Sequence, residues 1–348
     1  MSINVKLLAD ICKIPGAPGF EFDVRNFVKK ELAGVVDELK TDNMGNLIAI
    51  KKGKDSSKRA MVAAHMDEIG FIVTHIDDKG FLRFHPLGGF DPKTLTAQRV
   101  LVHGKKDLVG VMGSKPIHVM SPEERSKPPK ISDFFIDLGL PKEEVEKYIE
   151  KGNAITRQRE LIEMGDNVNC KSLDNRVSVF ILLEALKELK GKEVPYDVYG
   201  VFTVQEEIGL RGAIVAGHHI NPDFAFGLDT TIAFDLPGAQ PHEMITEMGK
   251  GTAIKIMDTS AVCDIRMVDY MKKTADAHKI KWQTEILTGG GTDTAGMQRM
   301  AKDGTIAGAI SIPTRHIHQV IEMCSKDDIK GSTDMLKACL SDLDTFDW

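Results

Sequence analysis

The 348-residue chain has no CxxC pair. Its five cysteines, Cys12, Cys170, Cys263, Cys324 and Cys339, are scattered and odd in number. That usage argues against a disulfide framework and points to reduced thiols in a cytoplasmic protein. No apolar run reaches the roughly 18 residues that a membrane-spanning helix needs. The N-terminal stretch MSINVKLLADICKIPGAPG is interrupted by Asp10 and lacks the apolar core of a signal peptide. Basic excess is missing too. Lys and Arg number 45 against 51 Asp and Glu, a formal net charge of -6. A nucleic-acid or anionic-membrane partner would favour a basic face, so neither is expected. Neither GxxxxGK[ST] nor a GxGxxG after a strand is present, which removes the phosphate-cradling reading of GGGTDTAG, Gly289–Gly296.

What is present describes a soluble globular protein, with 42% hydrophobic and 28% charged residues. The length exceeds what one hydrophobic core usually serves, so two domains, or one domain with an insertion, are expected. Residues 21–33 place Val24, Phe27, Val28 and Leu32 at helical spacing. A hairpin follows, with its turn near Asn43–Gly45. Met61–Ala64 reads as a buried strand that breaks into polar residues at His65. From about Phe71 to Asp166, short alternating segments (FIVTHI, FLRFH, QRVLVHG, DLVGVMG) are separated by turns, as in a small β-barrel or sandwich. One helix, Pro141–Lys151, is expected to interrupt it, with Pro141 in its first turn.

After Asp166 an α/β pattern returns. Val177–Lys190 reads as a helix with Val177, Phe180, Leu183 and Leu186 on one face. YDVYGVFTV, DFAFGLD, TAIKIMD, KWQTEIL and TIAGAIS read as strands, Val268–His278 and Lys326–Leu343 as helices. GGGTDTAG looks too flexible for the interior of either. The expected organisation is an α/β domain, residues 1–70 and 166–348, carrying a β-rich insertion at 71–165.

Carboxylates and imidazoles collect where the apolar strands end. His65 and Asp67 follow AMVAA, Glu206 and Glu207 follow VFTV, and Asp229 ends FAFGLD. Asp174 precedes a helix, and His318 lies just beyond AGAISIPT. Ligands of open α/β sheets bind at the carboxyl ends of strands, so five such segments suggest one shared site. Clustered carboxylates repel unless a cation neutralises them. Mixed nitrogen and oxygen donors without nearby cysteine suit Zn²⁺, Co²⁺ or Mn²⁺ better than Ca²⁺. Blander readings stand beside this one: solvated histidines, an N-cap at Asp174, a turn at Asp229, an exposed loop at Glu206–Glu207. The remaining histidines, His316 among them, show no such concentration and read as structural.

Six ordered motifs, AAHMDEIGF, SLDNRVSVF, TVQEEIGLRGA, GLDTT, GGGTDTAG and SIPTRHIHQVIEM, resemble those of the M42 metallo-aminopeptidases. That family includes the TET peptidases and proteins long labelled endoglucanases. The resemblance spans essentially the whole chain. It implies a phosphorylase/hydrolase-like α/β catalytic domain with a central mixed β-sheet flanked by helices, and an inserted small barrel, PDZ-like, that assists oligomerisation. It implies two divalent metal ions per subunit, sharing a water, with His65 and Asp229 on one, Glu207 and His318 on the other, and Asp174 bridging. Glu206 would be the general acid/base, and Asp67 the carboxylate that orients His65. A cis peptide after Asp174 is implied as well. Thr292 and Asp293 would meet the substrate, a short peptide losing its N-terminal residue. Partners would be copies of the same chain, as a dimer or a tetrahedral dodecamer. Small departures are Asn175 where many members have Asp, His316 in place of Tyr, and HQVIE in place of HSPVE. Two other classes stay in view: a different two-metal amide hydrolase, such as a carboxypeptidase or N-acyl amino acid deacylase, and a non-catalytic metal-stabilised scaffold.

Overall fold

The computed structural model describes residues 3–348. Its centre is an 11-stranded mixed sheet. Four strands at its middle run parallel, in the order Tyr196–Thr203, Asp55–His65, Phe224–Ile232, Ile306–Arg315. Their sequences are near-continuous apolar runs because both faces are covered. Ala60, Val62 and Ala64 pack on one side, Met61 and Ala63 on the other. Thr203 pairs with His65 in register, so these two strands end level. Leu47–Lys51 and Glu38–Thr41 extend one edge as the expected hairpin. Glu322–Ser325, Asn167–Cys170 and Ile162–Met164 extend the other, and Thr252–Met257 with Trp282–Ile286 branches from Ile306–Arg315. Ile162–Met164 therefore pairs in the large sheet, although a boundary at 165 would group it with the insertion.

Helices cover both faces. Val5–Lys13, Leu173–Glu188 and Lys326–Ser341 pack on one, Arg211–Ile220 and Asp293–Met300 on the other. The helix expected over Val177–Lys190, with one buried face, runs over Leu173–Glu188. It buries Val179, Ile181 and Leu182 as well, because it lies between the sheet and its neighbouring helices. GGGTDTAG also departs from expectation, since its second half opens helix Asp293–Met300. Thr292 is the N-cap, a position that favours Thr, and Asp293 sits in the first turn. Gly296 permits close packing, for a Cβ there would come 3.1 Å from the backbone nitrogen of Ile214 in helix Arg211–Ile220.

The β-rich segment closes on itself. Gly70–Ile76, Leu82–Leu87, Phe134–Asp137, Leu108–Ser114, Arg99–His103 and Ala154–Arg157 form a six-strand antiparallel barrel in that order. Closure removes its edges, and Phe71, Val100, Val102, Ile136 and Ile155 fill it. The helix expected over Pro141–Lys151 is cut to Lys142–Val145, with Pro141 as the N-cap. The chain turns there because Val145 and Ile149 both enter the barrel core and the Tyr148 carbonyl accepts from Lys105 N–H. Among the described residues no helix is long and apolar enough to cross a membrane. The five cysteines are unpaired and buried.

Candidate metal centre

The parallel strands deliver their polar residues to one place. His65 is the last residue of its strand and Asp229 lies within Phe224–Ile232. Beyond Thr203 the backbone turns sharply, with Gln205 at φ 56°. That left-handed conformation disfavours a side chain, and neighbours hold it. Asn46 Oδ1 accepts from Val204 N–H at 3.0 Å and Glu21 Oε1 from Gln205 N–H at 3.0 Å. His316 and His318 are left-handed too, at φ 60° and 63°. Asp174 enters from the start of its helix. Its peptide bond to Asn175 is cis, as the resemblance implied. Glu322 Oε2 accepts from Asp174 N–H at 2.9 Å, and Asn175 Nδ2 donates to the Leu228 carbonyl at 2.9 Å, tying this segment to the strand of Asp229.

Asp174 turns one oxygen to each histidine. Its Oδ1 stands 3.4 Å from His65 Nε2, and its Oδ2 stands 3.4 Å from His318 Nε2. Asp229 Oδ1 lies 3.7 Å from His65 Nε2, and Glu207 Oε2 lies 3.3 Å from His318 Nε2. Glu206 Oε2 is 3.8 Å from His65 Nε2. Among the described residues two compact groups have donor atoms within 4.8 Å of one another: His65, Glu206 and Asp229, and His65, Asp174 and Glu207.

Asp67 stands beside His65 and also beside the two glutamates. The partner of His65 Nδ1 is the Asp67 backbone carbonyl, at 3.1 Å. The carboxylate, 3.4 Å from that nitrogen, also accepts from Glu206 N–H at Oδ1 and Glu207 N–H at Oδ2, each at 3.1 Å. Asp67 thus meets the imidazole with both its carbonyl and its carboxylate, and holds the two glutamates through its side chain.

Burial dominates the electrostatics. It pushes the Glu206 carboxyl well above the ordinary carboxylate range; His65 pulls the other way, while Asp229 and Glu207 add to the rise. Burial also raises Asp229 and Glu207. Burial works to raise Asp174, but its contacts with His318 and His65 outweigh it and hold the carboxyl below its usual range. Burial works to lower His318, yet the charge of Glu207 and the contact with Asp174 carry it up to about 11. Two imidazoles thus face the carboxyls of Asp174, Glu206, Glu207 and Asp229. The Oε1 of Glu207 is buried without a hydrogen-bond partner among the described residues. Oxygen and nitrogen donors around an orphaned carboxylate oxygen fit a divalent cation.

The donors open into a cavity of about 620 Å³. Its wall away from them is built from Leu210, Thr230, Thr231, Ile232, Leu287, Gly289–Gly291 and Ile317. Thr292 lines it, while Asp293 lies behind, its Oδ2 accepting from Thr203 Oγ at 2.5 Å. The resemblance had pointed to the Gly289–Gly296 segment and Thr292; sequence reasoning missed the apolar part of the wall, Leu210, Ile232, Leu287 and Ile317, and it missed Glu21, Asn46, Arg157 and Glu322. The supporting polar residues reveal themselves only through hydrogen bonds to distant segments.

Comparison with known proteins points one way. The family model described as M42 glutamyl aminopeptidase matches residues 45–335. A putative aminopeptidase of Acetivibrio thermocellus is 40% identical over 331 residues, covering 95% of this chain and 96% of that protein. The crystal structure of a TET aminopeptidase from the marine sediment archaeon Thaumarchaeota archaeon SCGC AB-539-E09 superposes with a TM-score of 0.95 at 35% identity, covering 98% of this chain and 96% of that one. The TET1 peptidase of Pyrococcus horikoshii, which can assemble into a tetrahedron or a large octahedral shell, superposes with a TM-score of 0.87 at 31% identity, covering 97% and 98%.

Proposed function

The chain belongs to the M42 glutamyl aminopeptidase family, and from that premise we propose that it is a cytoplasmic two-metal aminopeptidase releasing the N-terminal residue of short peptides. The observation that carries the two-ion reading is the division of Asp174, one oxygen toward His65 and the other toward His318. His65, Asp229 and Asp174 would hold one ion, and Glu207, His318 and Asp174 the other. Divalent ions bound there supply Lewis acidity to a carbonyl and make water more acidic. Zn²⁺, Co²⁺ and Mn²⁺ all suit such donors.

Glu206 is the proton carrier. It is 8% exposed, and its amide is fixed by Asp67. A carboxylate takes the proton of an attacking water and returns it to the leaving amine most effectively when its pKa is near the working pH. Burial raises the Glu206 carboxyl, and cationic charge nearby offsets that rise. Glu206 and Glu207 divide by the histidine each faces: Glu207 lies 3.3 Å from His318, Glu206 3.8 Å from His65. The surrounding carboxylates attract the substrate's α-ammonium, which confines cleavage to the chain end.

The wall of the cavity supports a neutral, apolar N-terminal residue. Leu210, Ile232, Leu287 and Ile317 offer apolar surface, and threonines and glycines complete it. Lys255 is fully buried, 2.7 Å from Glu285 and 3.3 Å from Asp258, so its charge is already balanced. We also propose that the chain forms a homo-oligomer built from dimers, a reading supported by the assembling TET1 relative.

The test uses protein stripped by a chelator and reloaded, with peptides that begin with Leu, Glu or Lys and their N-acetylated forms. Metal-dependent release of free Leu is expected to be fastest, with Glu206→Gln retaining metal and losing about 10²–10⁴-fold in kcat. Cleavage of the N-acetylated peptides at equal rate would replace the reading by a deacylase or carboxypeptidase. A Glu206→Gln enzyme as fast as wild type would remove the proposed base.

A further inference from the structure

Arg157 ends the barrel strand Ala154–Arg157, yet its guanidinium lies beside the metal donors of the large sheet. The side chain is 3% exposed. Its Nη1 donates to the His318 carbonyl at 3.0 Å. Its Nη2 stands 4.0 Å from Glu322 Oε1, and Glu322 Oε2 is the acceptor for Asp174 N–H. The guanidinium carbon lies 5.6 Å from the centre of the Phe90 ring, which in turn stacks on Phe71 at 4.3 Å. One planar fork, braced by a barrel aromatic, therefore donates to the main chain of one proposed ligand and stands in ion-pair range of the carboxylate that anchors another.

The backbone it holds needs holding. His318 is left-handed at φ 63°, a region a non-glycine residue leaves readily unless its neighbours fix it. The imidazole also has the barrel loop against it, since a Cβ on Gly89 would come 3.5 Å from His318 Nδ1. Burying a guanidinium is costly, and an apolar side chain of similar volume often serves stability as well or better. Arg157 Nε has no hydrogen-bond partner among the described residues, so the group is not placed for maximal hydrogen bonding. Its placement is explained by what Nη1 and Nη2 orient.

We propose that Arg157 is a positioning residue for the metal centre, through which the barrel holds His318 and the Asp174 segment in ion-binding geometry. The inference rests on the two-ion reading and adds to it that the insertion helps complete the site. Arg157 touches neither substrate nor reacting atoms; it acts through the His318 carbonyl and Glu322.

The experiment compares the full chain as wild type, Arg157→Met and Arg157→Lys. Each is stripped of metal and titrated with Co²⁺, followed by visible absorption, and the melting temperature of each metal-free protein is recorded. Met keeps the packing against Phe90 without the fork; Lys keeps one charged donor. The expected result is two equivalents on wild type and one of them weakened about 10–100-fold in Arg157→Met, the usual effect of removing a group that orients a ligand. Arg157→Lys should regain part of that loss, and the metal-free melting temperatures should stay together. Wild-type affinity for both equivalents in Arg157→Met overturns the proposal. So does equal weakening of both equivalents in both variants with a lowered metal-free melting temperature, which marks a general packing role. A wild type that takes up no Co²⁺ refutes the two-ion reading itself, and the proposal falls with it.

Discussion

Replacing Asp67 by Asn separates two accounts of this residue. The side chain is fully buried, and its two oxygens accept the amides of Glu206 and Glu207, each at 3.1 Å. Asn presents one oxygen and one NH₂, so one amide N–H meets a donor. The lost bond is to a charged acceptor, worth about 1.5–3 kcal/mol, and the stranded buried N–H adds a penalty of similar size. A loss of about 3 kcal/mol in folding free energy is expected, read from urea midpoints with an unchanged slope. The peptide planes of the two glutamates should shift, and a misplacement of this kind costs about 10²-fold in rate. Steady-state kinetics at saturating metal, with metal content measured on the same sample, make the assay. The expected outcome is a kcat lower by about 10²-fold with both ions retained. Loss of one ion with an unchanged kcat in the reloaded enzyme would refute the reasoning. It would mean that the carboxylate works through His65 Nδ1, 3.4 Å away, and that the carbonyl contact at 3.1 Å is secondary.

Two further predictions concern stability and assembly. Glu21 is 4% exposed, and burial followed by the charge of Asp67 raises its carboxyl from 4.5 to about 7. Because the folded value is the higher one, its contribution is fully present below about 4.5 and is lost as pH rises through about 7. At ~1.4 kcal/mol per pH unit, that interval corresponds to at most about 3–4 kcal/mol. Urea midpoints at pH 5 and pH 8 should show wild type losing stability relative to Glu21→Gln as pH rises; a gap that does not change with pH contradicts the assignment. Light scattering coupled to gel filtration should give a mass that is a multiple of the subunit mass, and a monomer at micromolar concentration would rule out the proposed assembly.

Much of the architecture is legible because apolar runs of four or five residues stop abruptly at charged ones. Met61–Ala64 before His65, and Val201–Val204 before Glu206, mark strand ends without reference to any partner. Parallel pairing then makes those ends neighbours, as the alignment of Thr203 with His65 shows. What stayed hidden depends on contacts between distant positions. Glu21 and Gln205 are 184 residues apart, Arg157 and His318 161. No local pattern distinguishes such residues from exposed charges. The start of helix Asp293–Met300 was obscured for a different reason. Glycines at 289–291 and 296 lower helical propensity, and the packing against helix Arg211–Ile220 that makes Gly296 favourable is a tertiary fact. The same segment explains why Thr292 and Asp293 part company: the helix turns the first toward the cavity and the second toward Thr203.

The adjacent pair Glu206–Glu207 shows how a local oddity becomes a division of labour. Two neighbouring carboxylates in a buried loop oppose each other's ionisation, and burial raises both. The pair does not lie in a strand, because Gln205 at φ 56° has already turned the chain. Its geometry comes from Asp67, which takes one amide on each oxygen and so fixes both peptide planes. With those planes fixed, Glu207 faces His318 and Glu206 faces His65. Exchanging the two parts would require turning a peptide plane and breaking one of the Asp67 bonds. A third buried carboxylate beside two others is costly on electrostatic grounds alone. It is understandable if its work is to keep the proposed ligand and the proposed base from changing places.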